Sequence, residues 1–444
     1  MTEQAVLETE PLSTIVDGPQ IGPLHLFILA TCALGLFFDT AELAIGAVFS
    51  TLFSAPPYSI EPARLSLLLA AASLGAIVGA PAAGWLADRY GRRPMLLLAA
   101  AIVVVTSIAA AASPNLMFLI IMRALSGLAL GAYPPLAAAY LTDILPARRR
   151  GPLIMLTVAL GYVGPVVLIF LVRFLTPLQP LGIEAWRWAF ISCALIAFIN
   201  LLMTWRIPET PRWLAAKGRT AEAGAVLARL GGRQDGRAVR GLTMPIDAAG
   251  PSDMQQFMRR MGFLILVYFL VPWSTSGFPL LSGAVLVQKG VTIEDSLLYV
   301  GVANFGPIVG AILCGFVIDV LERKTTLVAC AVAMAILGMG YGFALQPVWL
   351  MGLGLAFNMV IAIFLPVVVI YAAELFPTAR RGRATSWSWA SRGIGATLVP
   401  LTLLPLLQSV GPVPMFAVVT GTLVLFSIIV QLFGPAGAAG RSAH

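Results

Sequence analysis

Apolar residues in this chain run in long unbroken stretches, and the charged residues fall between them. Leu65 to Ala87 carries no charge, and neither does Met95 to Ala112. A run of about 20 apolar residues is the length of an α-helix that crosses a bilayer. Twelve such runs can be counted, near 24–50, 65–87, 95–112, 116–142, 152–172, 188–205, 261–287, 297–320, 325–344, 348–373, 385–408 and 413–433. The one long break, 206–258, opens with Pro208-Glu-Thr-Pro-Arg-Trp-Leu214 and continues from Lys217 to Leu230, rich in the helix formers Ala, Leu and Glu. Trp213, Leu214, Val226, Leu227 and Leu230 would share an apolar face, which predicts a cytoplasmic amphipathic helix on the membrane surface or against the bundle. Gly231 to Gly250 reads as flexible linker. The predicted organisation is a tail (1–23), a six-helix half (24–205), the linker segment (206–258), a second six-helix half (259–433) and a tail (434–444).

Composition supports an integral membrane protein. The 444 residues are 59% hydrophobic and 11% charged, against about 25% charged in soluble domains. The net charge of +8 comes from residues scattered over short loops without aromatic interleaving, so it marks topology rather than nucleic acid. Of the 28 Lys and Arg, 22 fall in the loops after runs 2, 4, 6, 8 and 10, in the long linker and in the C-terminal tail. The opposite loops hold Arg64, Arg173, Arg187 and Lys289, while Arg123 and Arg392 fall inside runs. That asymmetry predicts cytoplasmic termini. The acidic N-terminus (Glu3, Glu8, Glu10, Asp17) predicts a disordered tail with no cleavable signal peptide. Cys32, Cys193, Cys314 and Cys330 all lie in apolar runs without a CxxC pair, and His25 and His444 form no cluster. No disulfide framework, metal site or cofactor is expected.

The basic loop Gly84-Trp-Leu-Ala-Asp-Arg-Tyr-Gly-Arg-Arg-Pro94 joins runs 2 and 3, with Gly84 read as a close-packing glycine. It recurs. Shifted by 231, Gly84, Asp88, Arg92 and Arg93 become Gly315, Asp319, Arg323 and Lys324. The same shift maps Pro135, Tyr140, Asp143, Pro146, Arg149, Arg150 and Gly151 onto Pro366, Tyr371, Glu374, Pro377, Arg380, Arg381 and Gly382. Two six-helix copies related by an axis along the membrane normal are a transporter plan, with a substrate site between them near the midplane.

These residues carry a family resemblance. Gly84 to Arg93 resembles the loop 2–3 signature of the major facilitator superfamily, and Arg123-Ala-Leu-Ser-Gly127-Leu-Ala-Leu-Gly131 its span-4 arginine motif. Tyr140 to Gly151, Trp186-Arg-Trp188, Pro208 to Leu214 and Tyr371 to Gly382 resemble the sugar-porter branch and its relatives, the metabolite:proton and aromatic-acid:proton symporters. Span 7, from Val271 to Leu281, lacks the glutamine-rich sugar-binding motif, which weakens a hexose reading. The second hinge loop departs at Val320 and Glu322, and Asp143 stands for the usual glutamate. The fold implied is all-α, with twelve transmembrane helices in two pseudo-symmetric halves.

Charges inside a span are expensive and therefore candidates for function. Asp39 and Glu42 sit three apart on one face of span 1, with Asp39 near the midplane. A carboxyl group there is poised between desolvation, which favours its neutral form, and a nearby arginine, which favours its charged form. The resemblance implies that Asp39 pairs with Arg123 and that Glu42 is the second span-1 acid of aromatic-acid symporters. A structural ion pair that only fixes helix packing is the alternative. Arg392, among small residues and next to Trp387 and Trp389, suits a carboxylate on an apolar or aromatic body. A cation balancing the span-1 acids is the alternative. Trp273 in span 7, with Trp387 and Trp389, are candidate lining residues, although aromatics in spans more often pack or mark interfaces. Tyr133-Pro-Pro135 predicts a kink in span 4, matched by Pro366 in span 10.

The expected function is proton-coupled symport of a small organic solute, an organic or aromatic carboxylate, by alternating access. Asp39, Glu42 and Arg123 would carry the proton and Arg392, Trp389 and Trp273 the substrate. The resemblance also implies a cytoplasmic gate of ion pairs, Asp88, Arg92, Arg93, Asp143 and Arg150 in one half and Asp319, Arg323, Glu374 and Arg381 in the other. The expected partners are the small-molecule substrate, protons and the lipid bilayer, with no nucleic acid. The expected state is a monomer in a bacterial inner membrane, driven by the proton gradient. Rival readings are a sugar or neutral-solute porter, drug efflux, or a membrane sensor that moves nothing. An enzyme is disfavoured, because no nucleophile–base pair, metal-ligand set or phosphate-cradling loop accompanies the charges.

Overall fold

A computed structural model describes residues 21–231, 253–317, 322–375 and 378–435. Among them are 12 helices long and apolar enough to cross a membrane. We number them as spans 1 (Pro23–Leu52), 2 (Pro62–Tyr90), 3 (Arg92–Ala111), 4 (Leu116–Ile144), 5 (Arg149–Leu178), 6 (Ala185–Arg206), 7 (Phe257–Gln288), 8 (Ile293–Phe316), 9 (Arg323–Phe343), 10 (Pro347–Ala372), 11 (Trp387–Val410) and 12 (Pro412–Phe433). All twelve predicted runs are present, and most extend a few residues further than their uncharged cores. The linker residues Gly231 to Gly250 lie almost wholly outside the described residues.

The duplication is written into the packing. A Cβ on Gly75 would lie 1.9 Å from Ala124 O, and one on Gly79 2.1 Å from Leu128 O, so span 2 meets span 4 backbone to backbone. The positions 231 residues on do the same: Gly306 against Leu355 O at 2.2 Å and Gly310 against Met359 O at 2.3 Å. Small residues let helices approach in this way where no hydrophobic effect drives them together. Three polar contacts recur, their donors related by the shift and their acceptors lying within four residues of it. Arg92 pairs with Asp143 and Arg323 with Glu374. Arg93 donates to Trp205 O and Lys324 to Gly434 O, while the Tyr140 and Tyr371 hydroxyls donate to Pro208 O and Pro435 O.

Four central spans are interrupted. Span 4 breaks between Leu130 and Tyr133, as predicted from Pro134 and Pro135, and span 5 at Tyr162. Span 7 breaks between Thr275 and Gly277, and span 8 between Ala303 and Gly306. Span 10, by contrast, runs unbroken through Pro366. A proline withdraws the donor of the carbonyl four residues before it. Pro307 thus frees Ala303 O, and Asn358 Nδ2 fills the vacancy from span 10 at 3.1 Å.

Span 2 packs along span 11, span 5 along span 8 and span 1 against span 7, joining the halves. At the end away from the basic loops, Ser50 Oγ donates to Leu280 O, Gly46 lies under the Leu280 side chain, and Arg173 Nε donates to Glu294 O. At the basic-loop end Gly84 meets nothing within 4 Å, and Trp85 is 62% exposed. The close-packing reading of Gly84 is therefore corrected: the glycine seams lie deeper, at Gly75 and Gly79. The predicted amphipathic segment forms two helices, Pro211–Ala216 and Thr220–Arg229. They dock on the bundle, burying Leu214, Ala223, Val226 and Leu227 in the core of the first half.

Candidate transport site

Glu42 is 0% exposed and Asp39 1%, on successive turns of span 1. Arg123 reaches them from span 4, but its partner is Glu42. Arg123 Nη1 donates to Glu42 Oε1 at 3.2 Å and to the Glu42 carbonyl at 3.2 Å. Ser107 of span 3 donates to Glu42 Oε2 at 2.8 Å, and the Phe190 ring of span 6 lies 6.0 Å from the guanidinium. The expected Asp39–Arg123 pair is thus corrected to Glu42–Arg123. Span 1 is rotated so that its second acid faces span 4. Asp39 has a buried Oδ1 without a hydrogen-bond partner.

Arg392 is the counterpart in the second half. Its guanidinium lies 5.2 Å from the Trp389 ring centroid, and that ring meets Tyr268 of span 7 edge-on at 6.4 Å. Tyr162, at the interruption of span 5, is within electrostatic reach from the first half. Among the described residues no carboxylate pairs with Arg392 and no hydrogen bond holds it. The glycines after it explain the Arg-Gly-Ile-Gly sequence, since Gly393 abuts Ile77 of span 2 and Gly395 abuts Phe269 O of span 7. Trp273 is packed partly buried against the core, its indole N–H without a hydrogen-bond partner among the described residues. Trp387 is 62% exposed.

The basic-loop end holds part of the predicted gate. Asp143 takes both Arg92 and Arg212, the latter at 3.5 Å. Arg150 donates to Leu145 O at 3.2 Å. Asp88 is exposed and, among the described residues, in no ion pair; its carbonyl accepts from the Trp213 indole at 3.1 Å. Its predicted place in the network is therefore corrected. Glu209, not singled out from the sequence, caps the start of span 3 by accepting from the backbone N–H of Arg92 and Arg93 at 3.2 and 3.1 Å. Burial pushes its carboxyl above the usual range, and these donors hold it back. In the second half Arg323 and Glu374 pair at 3.4 Å. Asp319 and the Arg381 side chain lie outside the described residues.

The model of the family described as "Sugar (and other) transporter" matches residues 27–440, nearly the whole chain. The protein belongs to that family. It is a major facilitator transporter, not an enzyme. Over 96% of both chains it is 26% identical to the putative metabolite transport protein YyaJ of Bacillus subtilis (strain 168). It is 25% identical to the niacin transporter NiaP of Acinetobacter baylyi (strain ATCC 33305 / BD413 / ADP1), covering 87% of this chain and 88% of that one. In fold it is similar to the xylose transporter XylE from E. coli in a partially occluded, inward-open conformation, with a TM-score of 0.77 and 20% identity over 94% of this chain and 99% of that one.

Sequence reasoning about this transporter missed Ser107, Tyr162, Tyr268 and Glu209. Glu209 could have been found, because it follows Pro208 in the motif already singled out. Ser107, Tyr162 and Tyr268 carry no signal in their own spans; only the helix rotations bring them to the charges.

Proposed function

We propose that the protein is a proton-coupled symporter of a small organic carboxylate, with an aromatic or heteroaromatic body, working by alternating access. The observation that carries the reading is Arg392, a cation inside the bundle with an aromatic wall and no carboxylate partner among the described residues. A membrane protein seldom keeps such a charge without work for it, and a guanidinium binds a carboxylate through two parallel hydrogen bonds. Niacin, the substrate in the name of one relative, is itself an aromatic carboxylate. Asp39 is the proton carrier in this reading, since it is buried without a partner, while Glu42 is committed to Arg123 and Ser107. Trp389 and Tyr268 flank the substrate ring. The 22 basic residues on one side support cytoplasmic termini. A neutral sugar would leave Arg392 unmatched.

Purified protein in liposomes should take up benzoate or nicotinate when the outside is acid, and not when the gradient is collapsed. Asp39→Asn should keep exchange but lose accumulation, and Arg392→Ala should lose the thermal shift that these carboxylates give. No proton-driven uptake of any carboxylate in a broad panel, with uptake of a sugar instead, would overturn the reading.

A further inference from the structure

Span 5 is interrupted at Tyr162 because Pro165 has no N–H and leaves Gly161 O without its helical donor. A residue from span 1 fills the vacancy: Thr40 Oγ1 lies 2.7 Å from Gly161 O. The same hydroxyl lies 2.8 Å from Leu36 O in its own helix. A threonine hydroxyl has one proton to donate, so it serves one of these acceptors at a time. The helices are in close contact here, for a Cβ on Gly164 would fall 2.2 Å from Phe37 O and one on Gly161 2.8 Å from the Leu36 Cβ. Thr40 directly follows Asp39 and shares its turn with Glu42. Tyr162 directly follows Gly161 and lies within electrostatic reach of Arg392.

We propose that Thr40 is a positioning residue for coupling: its hydroxyl, alternating between Gly161 O and Leu36 O, ties the Asp39–Glu42 turn to the joint of span 5 that presents Tyr162 to Arg392. While Thr40 holds Gly161 O, the joint keeps its shape and span 1 keeps its rotation. When the acids change charge and the turn adjusts, the hydroxyl falls back on Leu36 O. Gly161 O, buried between the two helices, is then unmet, and the joint rearranges to find a donor. The charged groups around the device are Asp39, Glu42 and Arg123 on one side and Arg392 on the other. It rests on the proton and carboxylate roles proposed above.

The first test needs no substrate. Amide hydrogen exchange across residues 158–168 is followed in the full-length protein, in Asp39→Asn, in Thr40→Val and in the double variant. Asp39→Asn, which fixes the neutral form, should change exchange in this segment by about fivefold or more. The change should vanish in the Thr40→Val background and persist with Thr40→Ser. An equal effect of Asp39→Asn in both backgrounds overturns the proposal. Thr40→Ala replaces valine if thermal unfolding shows that the larger variant is misfolded.

The second test uses the benzoate and nicotinate assays. Thr40→Val should keep counterflow within about twofold of wild type while its accumulation ratio falls about tenfold, and Thr40→Ser should restore it. Equal loss of both, or loss of neither, overturns it. Wild-type protein that accumulates neither carboxylate refutes their role as substrates and leaves the exchange cycle to decide the Thr40 joint.

Discussion

The Glu42–Arg123 pair allows a prediction with a magnitude. Its side chains are 0% and 4% exposed, and the carboxylate spends its second oxygen on Ser107. Removing one member of a buried pair strands the other charge and costs about 3–5 kcal/mol, whereas neutral groups of similar shape at both positions cost far less. For a cooperative unit the size of one six-helix half, about 2–4 °C of melting temperature per kcal/mol applies, so Arg123→Leu should lower the transition by about 6–20 °C. Glu42→Gln combined with Arg123→Leu should regain more than half of that. Asp39→Asn should cost little, because Asp39 has no partner to strand. A thiol-reactive dye reports the transition, since Cys32, Cys193 and Cys314 are buried in the fold. An Arg123→Leu protein as stable as wild type refutes the buried-pair assignment. So does an Asp39→Asn protein as damaged as Arg123→Leu, which would return the arginine to Asp39.

Asp143→Asn removes the acceptor shared by Arg92 and Arg212, and it should slow transport at saturating substrate while changing the substrate-induced thermal shift little. Gly79→Ala places a methyl 2.1 Å from Leu128 O and should destabilise by about 1–3 kcal/mol through overpacking, measured as a lower melting temperature. Lys289, just past span 7, donates to Tyr341 O and Ala344 O, and burial lowers its pKa from 10.5 to about 8. Between these values the unfolded chain binds more protons than the folded one, so stability rises with pH from about 8 to 10.5. Lys289→Met should flatten that rise in a melting-temperature profile.

Spans and duplication were legible because both are written in one dimension. Uncharged length sets a span, and a fixed offset exposes a repeat; Gly75 and Gly79 then find Gly306 and Gly310 without further information. Pairing was not legible to the same depth. Asp39 and Glu42 differ by about 60° around their helix and one short rise along it, so either can face span 4. Only the rotation of span 1, fixed by Thr40 and the Leu36–Phe37 contacts with span 5, decides between them. Gly84 was misjudged for a related reason, since a small residue permits contact without creating it. Pro366 leaves span 10 continuous, where Pro134 and Pro135 stand at the break of span 4.

The interruptions have a mechanical consequence. Spans 1 and 2 are continuous where their repeat counterparts, 7 and 8, are broken, and spans 4 and 5 are broken where 10 and 11 are continuous. Each pair therefore joins a stiff rod to a compliant one. Across the interface the continuous span 1 meets the broken span 7, the continuous spans 2 and 11 meet each other, and so do the broken spans 5 and 8. Duplication supplied two copies of one frame, and the placement of breaks made them unlike springs. On the Thr40 proposal, a load applied at Asp39 would reach the joint of span 5, while Arg392 rides on a helix unbroken from Thr378 to Val410.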